Sequence, residues 1–130
     1  MIKNIKKTLI AGALALAMVG TAVPVTANAA TGTYCNVTLN KTSTSATTIT
    51  ASTTGKNKSG SAKYMSVYVK SGASYTVATT KASSSGVVNN NNTKSCSVGS
   101  LKKSNNHWGS CVIHKGTQSS TPTLESIHTP

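Results

Sequence analysis

The densest group of chemically reactive side chains in this 130-residue sequence lies between His107 and His114. It contains His107, Cys111 and His114, whose nitrogen and sulfur atoms are zinc ligands in many proteins. The same residues could form a cysteine–histidine nucleophile, in which an imidazole deprotonates the thiol. Both interpretations depend on the elements that position these side chains.

Strand geometry argues against both kinds of site. Cys111 and His114 are three residues apart, so they would point to opposite faces of a regular strand. His107 and Cys111 share a face, but four extended residues separate them by about 13 Å. A nucleophile would also need a third group, and only Asn105 or Asn106 is near. We therefore expect a disulfide cysteine beside surface histidines, with no metal site, cofactor or catalytic residue.

The composition limits the chemistry further. The sequence has 13 lysines and no arginine, and Glu125 is its only acidic residue. A single carboxylate excludes paired-carboxylate catalysis, carboxylate-backed triads and oxygen-cage calcium or magnesium sites. The absence of arginine removes bidentate clamps on phosphate or carboxylate groups. The sequence therefore predicts a protein that is not an enzyme.

Residues 1–29 have the pattern of a secretory signal peptide. Three lysines precede the apolar run Leu9–Gly20, and Ala27-Asn28-Ala29 supplies small residues before a cleavage site. The alternative is a membrane anchor, but the apolar run is shorter than the roughly 18 to 20 residues that a span requires. We expect cleavage before Ala30, or next before Thr31. The mature protein would then be secreted and extracellular, without a transmembrane span.

Alternating apolar and polar residues predict six short strands after this leader. The runs are Thr33–Asn40, Ala46–Thr54, Ala62–Lys70, Ser74–Lys81, Ser95–Leu101 and Gly109–Lys115. Turn-forming residues separate them, at Gly55–Gly60, Ser71-Gly72, Ser83–Gly86, Asn89–Asn92 and Asn105–Gly109. We expect an all-β domain over residues 30–115, a small antiparallel β-sandwich. Residues 116–130 are expected to form a polar, flexible tail.

Three cysteines, Cys35, Cys96 and Cys111, lie on the apolar faces of predicted strands. Export favours a disulfide, which would stabilise a small domain by about 2–4 kcal/mol. Cys96–Cys111 is the preferred pair because these residues lie on the last two predicted strands. Cys35–Cys111 is the alternative, since the first and last strands of a sandwich are often neighbours. The third cysteine would be buried and inert, or would join two chains.

Positive charge is the main functional indication. Ten lysines follow the predicted leader, with local concentrations at Lys56 and Lys58 and at Lys102 and Lys103. Such charge attracts polyanions, among them teichoic acids, anionic lipid headgroups and nucleic acid. Nucleic acid is the least favoured, because the sequence has no arginine, no RNA-binding signature and no helix-turn-helix pattern. The competing interpretation is that scattered lysines only keep the protein soluble.

Aromatic residues offer a second surface. Tyr64 and Tyr68 alternate with apolar residues and share a face with Lys70. A solvated face of this kind would bind glycans or cell wall, whereas a covered face would only fill the edge of the core. Trp108, the single tryptophan, would either insert into a ligand or membrane interface or close one end of the sandwich.

The leader ending in Ala-Asn-Ala-Ala, the Ser/Thr-rich strands and the closing stretch from Ser97 to Gly116 resemble small secreted β-sandwich proteins of Gram-positive bacteria. That stretch reads Ser-x-Gly-Ser, then His-x-Gly-Ser, then His-Lys-Gly. In size, export route and strand pattern the chain also resembles bacteriocins of the lactococcin 972 type. Charge and export predict non-catalytic association with anionic cell-envelope or surface polymers. The second resemblance implies the alternative, a secreted bacteriocin-like antagonist. The oligomeric state does not follow from the sequence.

Overall fold

The computed structural model describes residues 25–130, and every regular strand in that range belongs to an antiparallel sheet. The positive segment and the apolar run of the predicted signal peptide lie outside the described residues. Eight strands are present, with a short 3₁₀ turn, η1, between the fourth and fifth. Their bounds are β1 Val25–Thr31, β2 Cys35–Ser43, β3 Thr48–Asn57, β4 Lys63–Gly72, η1 Tyr75–Val77, β5 Thr79–Val88, β6 Thr93–Lys102, β7 Asn106–His114 and β8 Thr123–Thr129.

The strands form two four-stranded sheets. The first sheet has the order β1-β2-β3-β6 and the second has the order β5-β4-β7-β8. Neighbours in sequence pair at β1–β2, β2–β3, β4–β5 and β7–β8, whereas β3–β6 and β4–β7 pair strands that are distant in the chain. The expected all-β class and antiparallel pairing are confirmed, with eight strands rather than six.

Alternation along the central strands builds the core. On β2, β4 and β7 the apolar residues at alternate positions are fully buried, as the sequence pattern predicted. These residues are Cys35, Val37 and Leu39, then Met65, Val67 and Val69, then Cys111 and Ile113. Residues from both sheets pack in the same hydrophobic cluster.

The segment predicted as a flexible tail contains a strand. Thr123–Thr129 form β8, which pairs with β7 along the edge of the second sheet. Leu124 and Ile127 are partly buried against the core. Their spacing of three does not match a period of two, which is why the alternation rule missed this strand.

The fourth predicted strand, Ser74–Lys81, is also wrong in its first half. Tyr75–Val77 form the 3₁₀ turn η1, and Val77 is 66% exposed. The strand β5 begins at Thr79 and runs through Ser83–Gly86, which we expected to be a turn. Cross-strand pairing with β4 holds these small residues extended, and the hydroxyls of Ser66 and Ser85 lie 2.7 Å apart.

The first strand crosses the predicted cleavage site. β1 is an edge strand whose Ala29 and Ala30 stand opposite Thr38 and Val37 of β2. The signal peptide itself stays a prediction. Within residues 25–130, no helix is long and apolar enough to cross a membrane.

Candidate functional site

The outer side of the second sheet carries most of the aromatic side chains. Because Met65, Val67 and Val69 point inward from β4, the alternate residues Tyr64, Tyr68 and Lys70 point outward. On β7 the same rule turns Trp108 and His114 outward, and Lys70 stands directly opposite Trp108. We call this surface the aromatic face. It consists of Tyr64, Tyr68, Lys70, Tyr75, Trp108, His114 and His128.

Tyr75 organises the centre of the aromatic face. Its ring stacks on His128 with centroids 3.7 Å apart and planes within 9°, and it meets Trp108 edge-on at 5.9 Å. Its hydroxyl lies 3.1 Å from Oγ of Ser110, which is only 1% exposed. The sequence reasoning missed Tyr75 and His128, since it assigned one to a strand and the other to a tail.

Lys70 places a positive charge among these rings. Its Nζ lies 5.0 Å from the ring centroid of Tyr75 and 5.7 Å from that of Tyr68, within the range of cation–π attraction. Tyr68, Tyr75 and Trp108 are partly exposed and His128 is exposed. The face therefore offers solvent both flat apolar surface and an ammonium group.

Tyr64 lies at the other end of β4 and contacts a different partner. It meets the ring of His114 edge-on at 5.5 Å. Nδ1 of His114 lies 2.8 Å from the carbonyl oxygen of Thr121. These contacts fix both rings against the chain that leads from β7 to β8.

The two lysine pairs singled out in the sequence are far apart. Lys56 stands near one end of β3 and Lys102 pairs with Thr48 at the other, a separation of about 26 Å along the strand. Lys58 donates from Nζ to the carbonyl oxygen of Gly32 at 3.0 Å. The four lysines therefore do not form one patch.

An open cleft of about 560 Å³ lies at the end of the molecule where β7 begins. Residues from distant parts of the chain line it, among them Lys41, Lys103, Asn105, His107, Trp108 and Pro130. His107 and Trp108 were predicted to lie in a turn, but both belong to β7. Lys41 was missed, although it continues the inward alternation of β2 and stands opposite buried Ala51.

His107 is the most buried polar residue of this cleft, with 4% of its surface exposed. Burial lowers the pKa of its imidazole, and the positive charge of Lys41 lowers it further, while the backbone carbonyl of Lys102 acts in the opposite direction. Nε2 of His107 is buried and has no hydrogen-bond partner in the described chain.

The three cysteines lie in the hydrophobic core or against it. Cys35 and Cys111 lie on different sheets, are both fully buried and belong to the same core cluster. Hydrogen bonding with Cys111 is the strongest influence that raises the pKa of the Cys35 thiol, followed by burial. The thiol of Cys96 instead donates to the carbonyl oxygen of Val67 at 3.6 Å. All three cysteines are free thiols here, and their disulfide pairing stays a prediction.

Glu125 lies beside this cysteine pair rather than in a tail. Its carboxylate accepts hydrogen bonds from the backbone N–H groups of Thr33, Tyr34 and Cys35 at 2.9, 2.7 and 3.0 Å. The Cys35 thiol donates to it at 3.6 Å. Burial acts to raise the pKa of Glu125, but these hydrogen bonds outweigh it and lower the pKa.

The possible metal ligands do not converge. His107 points inward at the start of β7, Cys111 lies deep in the core, and His114 points outward toward Tyr64. Across residues 25–130, no three His, Cys, Asp or Glu side chains are close enough to hold a metal ion.

Comparisons of the chain with protein-family models, with curated proteins and with solved structures find no match.

Proposed function

We propose that this protein is a non-catalytic binding protein that associates with anionic glycan polymers of a cell envelope or another biological surface. The observation that carries the proposal is the aromatic face, where Lys70 lies between the rings of Tyr68 and Tyr75. Sugar rings present C–H groups that pack on the electron-rich faces of aromatic rings. An ammonium group among those rings adds a contact for an anionic substituent.

The fold suits this task. We propose that the two sheets form a small β-sandwich, because residues of both sheets share one core cluster. In such a fold the outer side of a sheet is an extended surface held by the core beneath it. Strands position side chains more rigidly than loops do, so less conformational entropy is lost on binding.

The excess of lysine supports the choice of an anionic partner. The sequence has 13 lysines and a formal net charge of +12, and ten of these lysines follow the predicted leader. Long-range attraction of this kind increases the rate of encounter with a polyanion. Export of the chain, expected from its signal peptide, would place it where envelope polymers are found.

Sedimentation with purified cell walls tests the proposal. We expect Tyr68→Ala and Lys70→Gln each to weaken binding about fivefold to tenfold, because each removes a central contact. The matched controls are Tyr34→Ala, which alters a 38% exposed tyrosine outside the aromatic face, and Lys56→Gln, which removes an equal charge elsewhere. These controls should bind like the unaltered protein.

The four variants distinguish binding by the aromatic face from attraction by net charge alone. Equal loss of binding in Lys70→Gln and Lys56→Gln, with no loss in Tyr68→Ala, would show that net charge alone drives association, and the proposal would then be wrong. Equal binding to walls stripped of their anionic polymers would also contradict it.

A further inference from the structure

We infer that the cleft at the start of β7 is a binding site for a phosphate group. Lys41 reaches it from β2, and Lys103 reaches it from the turn between β6 and β7. Two ammonium groups on one concave surface repel each other and are stabilised by a shared anion. Lys41 is partly buried, so its side chain has less contact with solvent than that of an exposed lysine.

The acidic side chain of the protein does not neutralise these lysines. Glu125 bonds to the turn at Thr33–Cys35, at the opposite end of β2. Cys35 and Lys41 are six residues apart on that strand, a distance of about 20 Å. Pro130 also lines the cleft. Where it carries a terminal carboxylate, that group would compete with an added anion, so we expect affinity in the millimolar range.

An independent observation points to a ligand in the same place. Among the partners that residues 25–130 offer, Nε2 of the 4% exposed His107 has no hydrogen bond, and neither has Oγ of the equally buried Ser71. The two residues stand opposite each other on β7 and β4, and both point inward. Buried polar atoms in proteins are nearly always paired. These atoms retain hydrogen-bonding capacity at the end of the molecule where the cleft opens.

Phosphate fits this set of groups better than a neutral ligand does. It offers several acceptor oxygens and up to two negative charges, and Lys41 and Lys103 supply matching positive charges. The Asn105 amide, which also lines the cleft, is a further donor. A bound anion would offset the charge of Lys41, and the pKa of His107 would then rise toward its usual value.

The cleft adjoins the aromatic face, since Trp108 lines the cleft and also contacts Tyr75. This continuity would identify the anionic substituent of the glycan polymer as a phosphate. That extension rests on the proposed function, whereas the phosphate site itself does not.

A nuclear magnetic resonance titration of the purified protein with inorganic phosphate tests the site, with sodium chloride at matched ionic strength as the reference. We expect saturable shifts at Lys103 and His107, together with a higher pKa for the His107 imidazole. Lys41→Gln and Lys103→Gln should each weaken phosphate binding by about fivefold or more. Lys102→Gln is the matched control, because this exposed neighbour does not line the cleft.

Lys41→Arg keeps the charge and should keep binding, which separates loss of the site from loss of the fold. The inference is overturned when chloride causes the same shifts as phosphate, or when Lys102→Gln weakens binding as much as Lys103→Gln does. Failure of the phosphate titration alongside wall binding that still depends on Lys70 would remove this site and leave the proposed function intact. The reverse result would remove only the proposed function.

Discussion

The contacts of Glu125 indicate a structural role for this side chain. As the single acidic residue of the sequence, it was the only carboxylate available to support a catalytic histidine. Its oxygens instead accept three backbone hydrogen bonds from the turn between β1 and β2. A negative charge held by several N–H donors is strongly stabilised. Glu125 therefore fastens this turn to β8.

Replacement of Glu125 by glutamine should lower the free energy of unfolding by about 1–3 kcal/mol at neutral pH, because charge-assisted hydrogen bonds are weakened. The pKa of this carboxyl is below its usual value of 4.5 in the folded protein. Its stabilising effect is therefore present above that value and is lost as the pH falls through the folded pKa. Urea denaturation of both proteins, at pH values above and below the folded pKa, measures the difference in the free energy of unfolding. A gap of equal size at acid and neutral pH would contradict this role.

The cysteines give a second prediction at this scale. When the protein is oxidised, we expect a Cys35–Cys111 disulfide and a free Cys96, because Cys35 and Cys111 are fully buried in one core cluster and come from different sheets. Closing this loop should add about 2–4 kcal/mol of stability. The raised pKa of the Cys35 thiol keeps it protonated and slow to react in the folded chain. Oxidation should therefore accompany folding.

Peptide mapping without reduction identifies the pair. Cys96→Ser is the control that should keep the bridge, whereas Cys35→Ser should lose it. A peptide that links Cys96 to Cys111 would support the pairing preferred from the sequence instead.

At the scale of elements, the sequence predicted best the strands that carry their own hydrophobic face. β2, β4 and β7 each place apolar residues at every second position, so their faces follow from alternation alone. β5 holds the run Ala82–Gly86 of small residues, and β8 has its apolar residues out of phase. Edge strands of this kind depend on pairing with a neighbour, which local sequence does not encode.

The same difference between clearly alternating strands and the rest of the chain applies to the candidate sites. The shared face of Tyr64, Tyr68 and Lys70 was predicted because β4 alternates clearly, whereas its exposure to solvent was left open. Tyr75 could not be placed, since Ser74–Lys81 also alternates and only contacts with β7 and β8 fix the 3₁₀ turn. The cleft could not be foreseen either, because its lysines come from β2 and from a turn 62 residues later.

Close approach of the two sheets gives a prediction for β7. A Cβ atom on Gly109 would lie 2.9 Å from Oγ1 of Thr53 and 3.0 Å from Cβ of Leu39, both in the first sheet. Gly109→Ala should therefore destabilise the protein by about 1–3 kcal/mol through overpacking. Gly99→Ala is the matched control, since its nearest contact would be Thr50 Oγ1 at 3.4 Å. Thermal unfolding measures both, and equal melting temperatures would show that the sheets can separate without cost.

At the scale of the whole molecule, net charge and the aromatic face should be separable by salt. Charge attraction between exposed groups is screened over about 10 Å at 0.1 M salt, whereas ring stacking on sugars is not. We expect wall binding to fall by about tenfold between 0.05 and 0.5 M sodium chloride, with a remainder that still depends on Tyr68. Binding indifferent to salt would contradict the charge contribution.

The bacteriocin-like alternative predicts a different behaviour of the whole molecule. An antagonist should inhibit growth of related bacteria when purified protein is spotted on them, whereas a binding protein should coat the cells and leave growth unchanged. Inhibition that is lost in Lys70→Gln would show that the aromatic face serves both wall binding and growth inhibition.

The first strand has a consequence for the predicted cleavage of the signal peptide. The peptide bond between Ala29 and Ala30 lies within β1, hydrogen-bonded in a sheet, and a protease reaches such a bond only when the strand opens. Signal-peptide cleavage at this bond must therefore precede folding, or wait for local unfolding. Cleavage would remove five of the seven residues of β1 and leave the backbone groups of β2 without their partner. The timing of this cleavage would thus determine which strand lies at the edge of the first sheet. The precursor would expose the edge of β1 to solvent, and the mature protein would expose the edge of β2.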